Sequence, residues 1–313
     1  MVWLIGSETL LGSEIARRLD EKKISWVSGS EINVFNVNEL NTFADSLDAS
    51  ARQTGASVKN GKIPSKVEYV INCLTCLDVN LSISAEQLEK LNADASLNIA
   101  RTTRRMAAKL IQFSSDAVFS GTKESYTEIS LRDSITPLGK SLIKGEDYIE
   151  KEITQYYILR LGSVYGKAKS NFIYPLMESA SSMQKLRSSD EIVMNPLCVQ
   201  DAVQIVMKII DSSKKPLFGK KSVIPYGVYN VGSSNSATLF DFENAFLQIE
   251  KKLLLKESLP EIENVPKNEL APAAGLLLSV LDSGKIAEAL KRKIPSWDES
   301  LEHFIKSTRL PKA

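Results

Sequence analysis

The chain has 313 residues, 43% of them hydrophobic and 25% charged, a balance that suits a folded globular protein with a sizeable core. Lys plus Arg (39) nearly equal Asp plus Glu (38), so no net field draws the chain to nucleic acid or to an anionic membrane. Three cysteines are too few for a disulfide framework, no apolar run approaches a bilayer span, and Met1 to Gly6 enters a strand-like run without a basic leader, so a cytoplasmic location is expected.

Val2–Ile5 is a short apolar run ending at Gly6 and predicts a buried strand. Leu11, Ile15, Ala16 and Leu19 have helical spacing within Leu10–Leu19. Ile24–Val27 predicts a second strand and Leu40–Leu47 a helix. Ala51–Ser65 is polar, holds Gly55, Gly61 and Pro64, and reads as a surface excursion. Val67–Cys73 predicts a third strand, Ala85–Ala100 an amphipathic helix and Lys109–Ser114 a fourth strand. Ile143–Ile153 continues as helix and Tyr156–Leu161 as strand. Alternating strands and helices imply a parallel α/β sheet with right-handed crossovers.

After about Asn171 the periodicity changes. Phe172–Ala180, Val199–Ile210, Leu239–Leu254, Ser283–Leu290 and Trp297–Ile305 predict helices, with short strands between them such as Gly227–Val231. The expected organisation is a Rossmann-type, doubly wound domain over residues 1–170 and a smaller, mostly helical lobe over residues 171–313, with residues 199–232 free to return to the first domain.

Gly6-Ser7-Glu8-Thr9-Leu10-Leu11-Gly12 joins the first strand to the first helix. Such a turn aims backbone N–H groups and a helix N-terminus at a pyrophosphate. Gly6 makes the turn and Gly12 lets helix and strand approach; Thr9 stands where a middle glycine is expected and narrows the approach to the phosphates. The second strand ends in Ser28-Gly29-Ser30, with neither a carboxylate for a ribose hydroxyl nor an Arg for a 2′-phosphate. NAD and NADP both remain open, with binding weakened or lost.

Several segments, in order, resemble the dTDP-4-dehydrorhamnose reductase family of extended short-chain dehydrogenases/reductases. They are Ile71-Asn72-Cys73, Leu91-Asn92-Ala93, Ser114-Ser115-Asp116-Ala117-Val118-Phe119, Gly121 and Tyr126-Thr127-Glu128. Arg160 to Gly166, Asn171-Phe172, Asn195-Pro196, Val199, Asp201-Ala202, Gly227 to Gly232, Ser279 to Asp282 and Ile294 to Trp297 follow. The resemblance covers almost the whole chain. It implies a cofactor cleft lined by Gly6, Thr9, Leu10, Leu11, Gly12, Asn72, Cys73, Leu74, Asn92 and Ser114. It implies a substrate side formed by Asp116, Val118, Phe119, Ser163, Asn171 and Phe172; Asp116 either touches substrate or caps a loop. The implied ligands are a dinucleotide and a nucleotide-sugar, with a second copy of the chain or a regulatory protein as partner. No metal is implied.

The family resembled here places a Tyr and a Lys four residues apart on one helix, where the ammonium lowers the phenol's pKa and the phenol protonates a carbonyl as hydride arrives. A Ser or Thr on the fourth strand polarises that carbonyl, and Ser115 fits this role. Anchoring on Gly139 and on Gly145-Glu146 puts Leu138 at the Tyr position and Leu142 at the Lys position. No Tyr occurs from Thr127 to Asp147, so the conclusion survives a change of register. Lys140 and Lys144 read as a solvated face. Tyr165-Gly166-Lys167-Ala168-Lys169 fits Tyr-x-x-x-Lys literally but falls one strand later, and reads as a structural Tyr. Cys73 and Cys76 read as buried or cleft-lining thiols, and His303 as a surface residue. Residues 269–278 lack the Arg that the resemblance leads one to expect for diphosphate binding. Three readings stand: a reductase with an unusual proton donor, a non-catalytic binding subunit, or a different reaction in the same cleft.

Overall fold

A computed structural model describes residues 1–53, 66–75, 77, 83–168, 171–212, 224–255, 257–270 and 280–309. The strands are β1 (Val2–Ile5), β2 (Trp26–Ser28), β3 (Tyr69–Asn72), β4 (Lys109–Ser115), β5 (Tyr156–Leu161), β6 (Val164–Tyr165), β7 (Leu186–Ser188), β8 (Val193–Met194), β9 (Leu197–Cys198), β10 (Gly227–Val231), β11 (Ala237–Thr238) and β12 (Ile262–Asn264). The helices are α1 (Leu10–Glu21), α2 (Val37–Gln53), α3 (Ala85–Glu89), α4 (Ala95–Arg105), α5 (Pro137–Glu152), α6 (Ile173–Ser182), α7 (Val199–Ser212), α8 (Leu239–Leu254), α9 (Gly284–Leu290) and α10 (Trp297–Arg309).

Six parallel strands form one sheet in the order β10-β5-β4-β3-β1-β2. Strand side chains alternate between two apolar layers, as a period of two demands. Val2, Leu4, Tyr69, Ile71, Ile111 and Phe113 join one core with Leu11, Ile15 and Leu19 of α1 and Val203 and Val206 of α7. Trp3, Ile5, Val70 and Leu110 join the other with Leu40 and Ala44 of α2, Ile99 of α4 and Ile149 of α5. Burial on both faces is why these strands read as continuous apolar runs. The sheet is thus the doubly wound, Rossmann-type sheet expected. A third core, around Tyr165, Leu176, Met194, Phe242, Phe246 and Phe304, holds α6, α8 and α10 together in the C-terminal part.

The chain runs from β1 to β2 on one side and then to β3 on the other, so the strand order reverses between β1 and β3. Open α/β sheets bind ligands outside the carboxyl ends of the strands at such a point.

Several boundaries move for local reasons. The second strand begins at Trp26, because Ile24 N–H closes the end of α1 on Leu19 O at 2.9 Å. The helix expected from Ile143 starts at Pro137, with Thr136 accepting from Gly139 N–H at 3.0 Å. Proline is tolerated there because a first-turn N–H has no helical partner. The helix expected over Ala85–Ala100 is broken by a π turn, Lys90–Asp94, and runs on to Arg105. The expected excursion over Ala51–Ser65 begins as the last turn of α2; its residues 54–65 lie outside the described residues.

Candidate functional site

The Gly6–Gly12 segment is a strand-to-helix turn at the switch point. Gly6 has φ +78°, the left-handed region that glycine enters without strain. A Cβ on Gly12 would lie 2.0 Å from Gly6 O, so only glycine lets α1 sit this close to the turn. Thr9 caps α1: its Oγ1 donates to Gly6 O at 2.9 Å and accepts from Gly12 N–H at 3.0 Å. Among the described residues nothing accepts from the N–H groups of Leu10 or Leu11, leaving free donors at the positive end of the helix. Ser7 Oγ and Ser28 Oγ lie 2.9 Å apart and Ser28 donates to Ser30 Oγ at 3.0 Å, tying the turn to the end of β2. This geometry fits a dinucleotide's phosphates. The end of β2 offers hydroxyls only.

Beside the turn, a Cβ on Gly6 would stand 3.0 Å from Cγ of Leu74, so the chain leaving β3 lies directly against it. Asn72 is fully buried: its amide donates to Gln112 Oε1 at 2.9 Å and its Oδ1 accepts from Leu74 N–H at 3.1 Å. Gln112 Nε2 in turn donates to Thr75 Oγ1 at 2.6 Å and Phe113 O at 2.9 Å. Gln112 and Thr75 were not singled out from the sequence; a Gln inside the apolar run Leu110-Ile111-Gln112-Phe113 was the available signal. The Cys73 thiol is buried, and burial and then Glu8 push its pKa up. Cys76 lies outside the described residues.

Ser115 ends β4 and caps a short 3-10 turn over Asp116–Val118. Its Oγ donates to Asp116 Oδ1 at 2.6 Å and accepts from Ala117 N–H at 3.1 Å. Ser114 is buried and its hydroxyl has no partner among the described residues. Val118 and Phe119 have no exposed surface, and Phe119 stacks on Tyr126 with ring centroids 4.3 Å apart. In this conformation both present no surface to a ligand.

Helix α5 lies across these elements. A Cβ on Gly139 would stand 2.2 Å from Ala117 O, and one on Gly145 would stand 2.1 Å from Asn92 O. Asn92, in the π turn, donates to Ser141 Oγ at 2.9 Å. Leu138 and Leu142 sit one helical turn apart, buried in an apolar cluster with Leu88, Val118, Phe119, Tyr126 and Leu281; Leu77, Ile83 and Leu91 cover it. Lys140 is exposed, and Lys144 pairs with Glu89. Glu146 is held by Arg160 of β5 and by Arg132 at 2.9 Å.

Other matched segments form a hydrogen-bonded knot. Asn195 donates to Leu281 O at 2.9 Å and accepts from Leu281 N–H at 3.1 Å. Asn230 donates to Tyr126 O at 2.8 Å, and Tyr126 N–H donates to Val280 O at 2.9 Å. Ser163 O, just before β6, accepts from Leu197 N–H of β9 at 2.9 Å. Asn171 donates to Val164 O at 2.9 Å and accepts from Gly166 N–H at 3.2 Å, shaping the loop before α6; Phe172 is half-buried against Phe242. The segment 271–279 lies outside the described residues.

Tyr165 is fully buried and packs edge-on against Phe242 and Phe304, with centroids 5.3 and 5.4 Å away. The Cys198 thiol lies beside it, and burial pushes the phenol's pKa up. It is a core residue of the C-terminal part. His303 is exposed. Among the described residues, no group of His, Cys, Asp and Glu side chains could hold a metal, and no helix is long and apolar enough to cross a membrane.

The RmlD substrate binding domain family model matches residues 1–310. The chain is 27% identical over 173 residues to the spore coat polysaccharide biosynthesis protein SpsK of Bacillus subtilis, covering 53% of this chain and 57% of that protein. It is 20% identical over 241 residues to the dTDP-4-dehydrorhamnose reductase of Salmonella typhimurium, covering 76% of this chain and 79% of that one. A solved dTDP-4-dehydrorhamnose reductase from Clostridium acetobutylicum superposes with a TM-score of 0.81 at 22% identity, covering 99% of both chains. One from Bacillus anthracis, in complex with NADP, gives 0.80 at 20% identity over 98% of this chain and 99% of that one. With its parallel sheet, its Gly6–Gly12 turn and a family match over nearly its whole length, the chain belongs to the RmlD substrate-binding domain family.

Proposed function

We propose that this protein binds a dinucleotide and a nucleotide-sugar in the cleft outside β1 and β3 but does not carry out the carbonyl reduction of its reductase relatives. The observation that carries this reading is the burial of Leu138 and Leu142 in an apolar cluster on α5, where the resemblance leads one to expect a Tyr and a Lys. An aliphatic pair neither donates a proton nor holds a ribose hydroxyl. Ser115, the remaining polar member, is engaged with Asp116 and Ala117. A bound dinucleotide would supply hydride chemistry; this chain would hold its phosphates at the N–H groups of Leu10 and Leu11, beside Gly6 and Thr9. Asp116, Ser163 and Asn171 would face the sugar side, and no residue at Ser28–Ser30 selects NADP over NAD.

A second reading makes the protein a regulatory or scaffolding subunit. What supports it is 34% identity over 80 residues to a bovine protein named methionine adenosyltransferase 2 subunit beta, covering 26% of this chain and 24% of that one. Calorimetric titration with NADPH, NADH and a dTDP-sugar tests the shared element of both readings. A measurable dissociation constant for a dinucleotide or dTDP-sugar is the expected result. Absence of binding by all three would overturn the proposal.

A further inference from the structure

Strand β10 is one edge of the six-stranded sheet. On its inner side Val231 O accepts from Gly162 N–H, just past β5, at 2.9 Å. With a period of two along the strand, the backbone groups of Val228, Asn230 and Gly232 point the other way, out of the sheet. Such an edge is a template for another strand. Here side chains occupy it. Lys285 Nζ donates to Val228 O at 2.7 Å and lies 4.7 Å from the centroid of the Tyr229 ring. Glu128 Oε1 accepts from Asn230 N–H at 2.9 Å. Ser283 Oγ accepts from Gly232 N–H at 2.8 Å and donates to Gly232 O at 3.1 Å. Successive outward positions therefore meet an ammonium, a carboxylate and a hydroxyl. Glu128 comes from the loop after β4, and Ser283 and Lys285 from the start of α9. These two stretches bridge each other, Tyr126 with Leu281, and neither forms a strand beside β10. Val228 N–H is an outward donor left over: nothing among the described residues accepts from it. The opposite edge, β2, is three residues long, and a very short edge strand is a poor template in itself.

We propose that Lys285, Glu128 and Ser283 guard β10 as a latent strand-pairing surface whose partner, once they are removed, is β10 of a second copy of this chain. Two copies of one edge related by a twofold axis run antiparallel and offer each other the same outward groups, so the contact is self-complementary. Val228 N–H gains the acceptor it lacks, and the other outward groups exchange side-chain partners for backbone ones. With the guards in place an incoming strand must first strip an ammonium from Val228 O and a carboxylate from Asn230 N–H. Hydrogen bonds to charged groups are stronger than the neutral ladder bonds that would replace them. Alanine at the three positions leaves these backbone groups to water and the edge open to pairing.

The test is sedimentation equilibrium on the full chain over a range of concentrations, with the fold of each variant checked by circular dichroism. The variants are Glu128→Ala/Ser283→Ala/Lys285→Ala and the same triple carrying Val228→Pro. The triple variant is expected to pass reversibly from the parent's mass to twice that mass as concentration rises, over a range in which the parent does not change. Val228→Pro removes an outward N–H and leaves the β5 ladder intact, since proline is tolerated on an edge strand where its nitrogen faces solvent. It is expected to return the triple variant to the parent's mass. A triple variant that keeps the parent's mass throughout overturns the guard. So does an association that survives Val228→Pro, which assigns the contact to another surface or to unfolded chains. Where the triple variant loses the parent's dichroism, Ser283→Ala/Lys285→Ala, which leaves Glu128 on Asn230, takes its place under the same outcomes. None of these outcomes depends on whether the cleft takes a dinucleotide.

Discussion

Arg160 grips Glu146 through two parallel hydrogen bonds, Nε to Oε1 at 2.9 Å and Nη2 to Oε2 at 2.7 Å. Both side chains are almost fully buried, and Arg132 adds a third bond from the loop before α5. The pair fastens α5, with its buried Leu138 and Leu142, to β5. Glu146→Leu strands a buried guanidinium and is expected to cost about 3–5 kcal/mol in chemical denaturation. The double variant Glu146→Leu/Arg160→Met is expected to recover part of that loss. A loss under about 1 kcal/mol for the single variant, the range of a surface ion pair, would show that the pair does not fasten the helix.

Thr9 caps α1 and stands where the resemblance leads one to expect a middle glycine. Thr9→Gly is expected to change stability by only a few tenths of a kcal/mol, since glycine is nearly as good an N-cap as Thr. It opens the approach of a phosphate to the free N–H groups of Leu10 and Leu11. NADPH binding is expected to tighten in calorimetry; unchanged or weaker binding would mean that the Thr9 side chain does not restrict the phosphate site.

Burial pushes the Glu243 carboxyl up to about 7 from an ordinary 4.5, the Ser188 hydroxyl beside it pulling the other way. Its Oε2 is buried, with no geometric hydrogen-bond partner among the described residues. The folded state prefers the neutral acid, so the shift costs nothing below the unfolded value near 4.5. As pH rises through the window between 4.5 and about 7, the unfolded chain sheds its proton first and stability falls. Above that window the loss levels off at about 3 kcal/mol. The stability gap between Glu243→Gln and the parent is expected to grow in favour of the variant by about that amount from pH 4 to pH 8. A gap independent of pH, measured by urea denaturation at each, contradicts the assignment.

Much of this was legible in the sequence because it depends on short-range pattern. Val2–Ile5 followed by Gly6 and the Leu11, Ile15, Leu19 spacing gave the first strand, turn and helix, and the buried face of each is the one the periodicity indicates. Thr9 was read as an obstruction, and its role as a cap depends on two hydrogen bonds that no spacing rule states. The apolar period from Ile143 did not reach back to the start of α5 at Pro137, which depends on the cap that Thr136 makes to Gly139 N–H. The π turn at Lys90–Asp94 and the Asn92–Ser141 bond stand beside the close approach of Gly145 to Asn92, a contact between segments some fifty residues apart that no local pattern states. Arg160 and Glu146 are likewise partners only in three dimensions.

NADPH oxidation in the presence of dTDP-4-dehydrorhamnose tests the central claim most directly, with the parent protein and Tyr165→Phe measured side by side. Loss of a positioned general acid costs about 10²–10⁴-fold, and loss of the ammonium also removes ribose contacts. On the proposed reading, in which Leu138 and Leu142 stand where the resemblance leads one to expect the Tyr and the Lys, no turnover above background is expected from either protein; Tyr165 is sealed in the C-terminal core. Robust turnover by the parent would contradict the account: if Tyr165→Phe abolished it, Tyr165 would be the acid; if Tyr165→Phe kept it, another group would be.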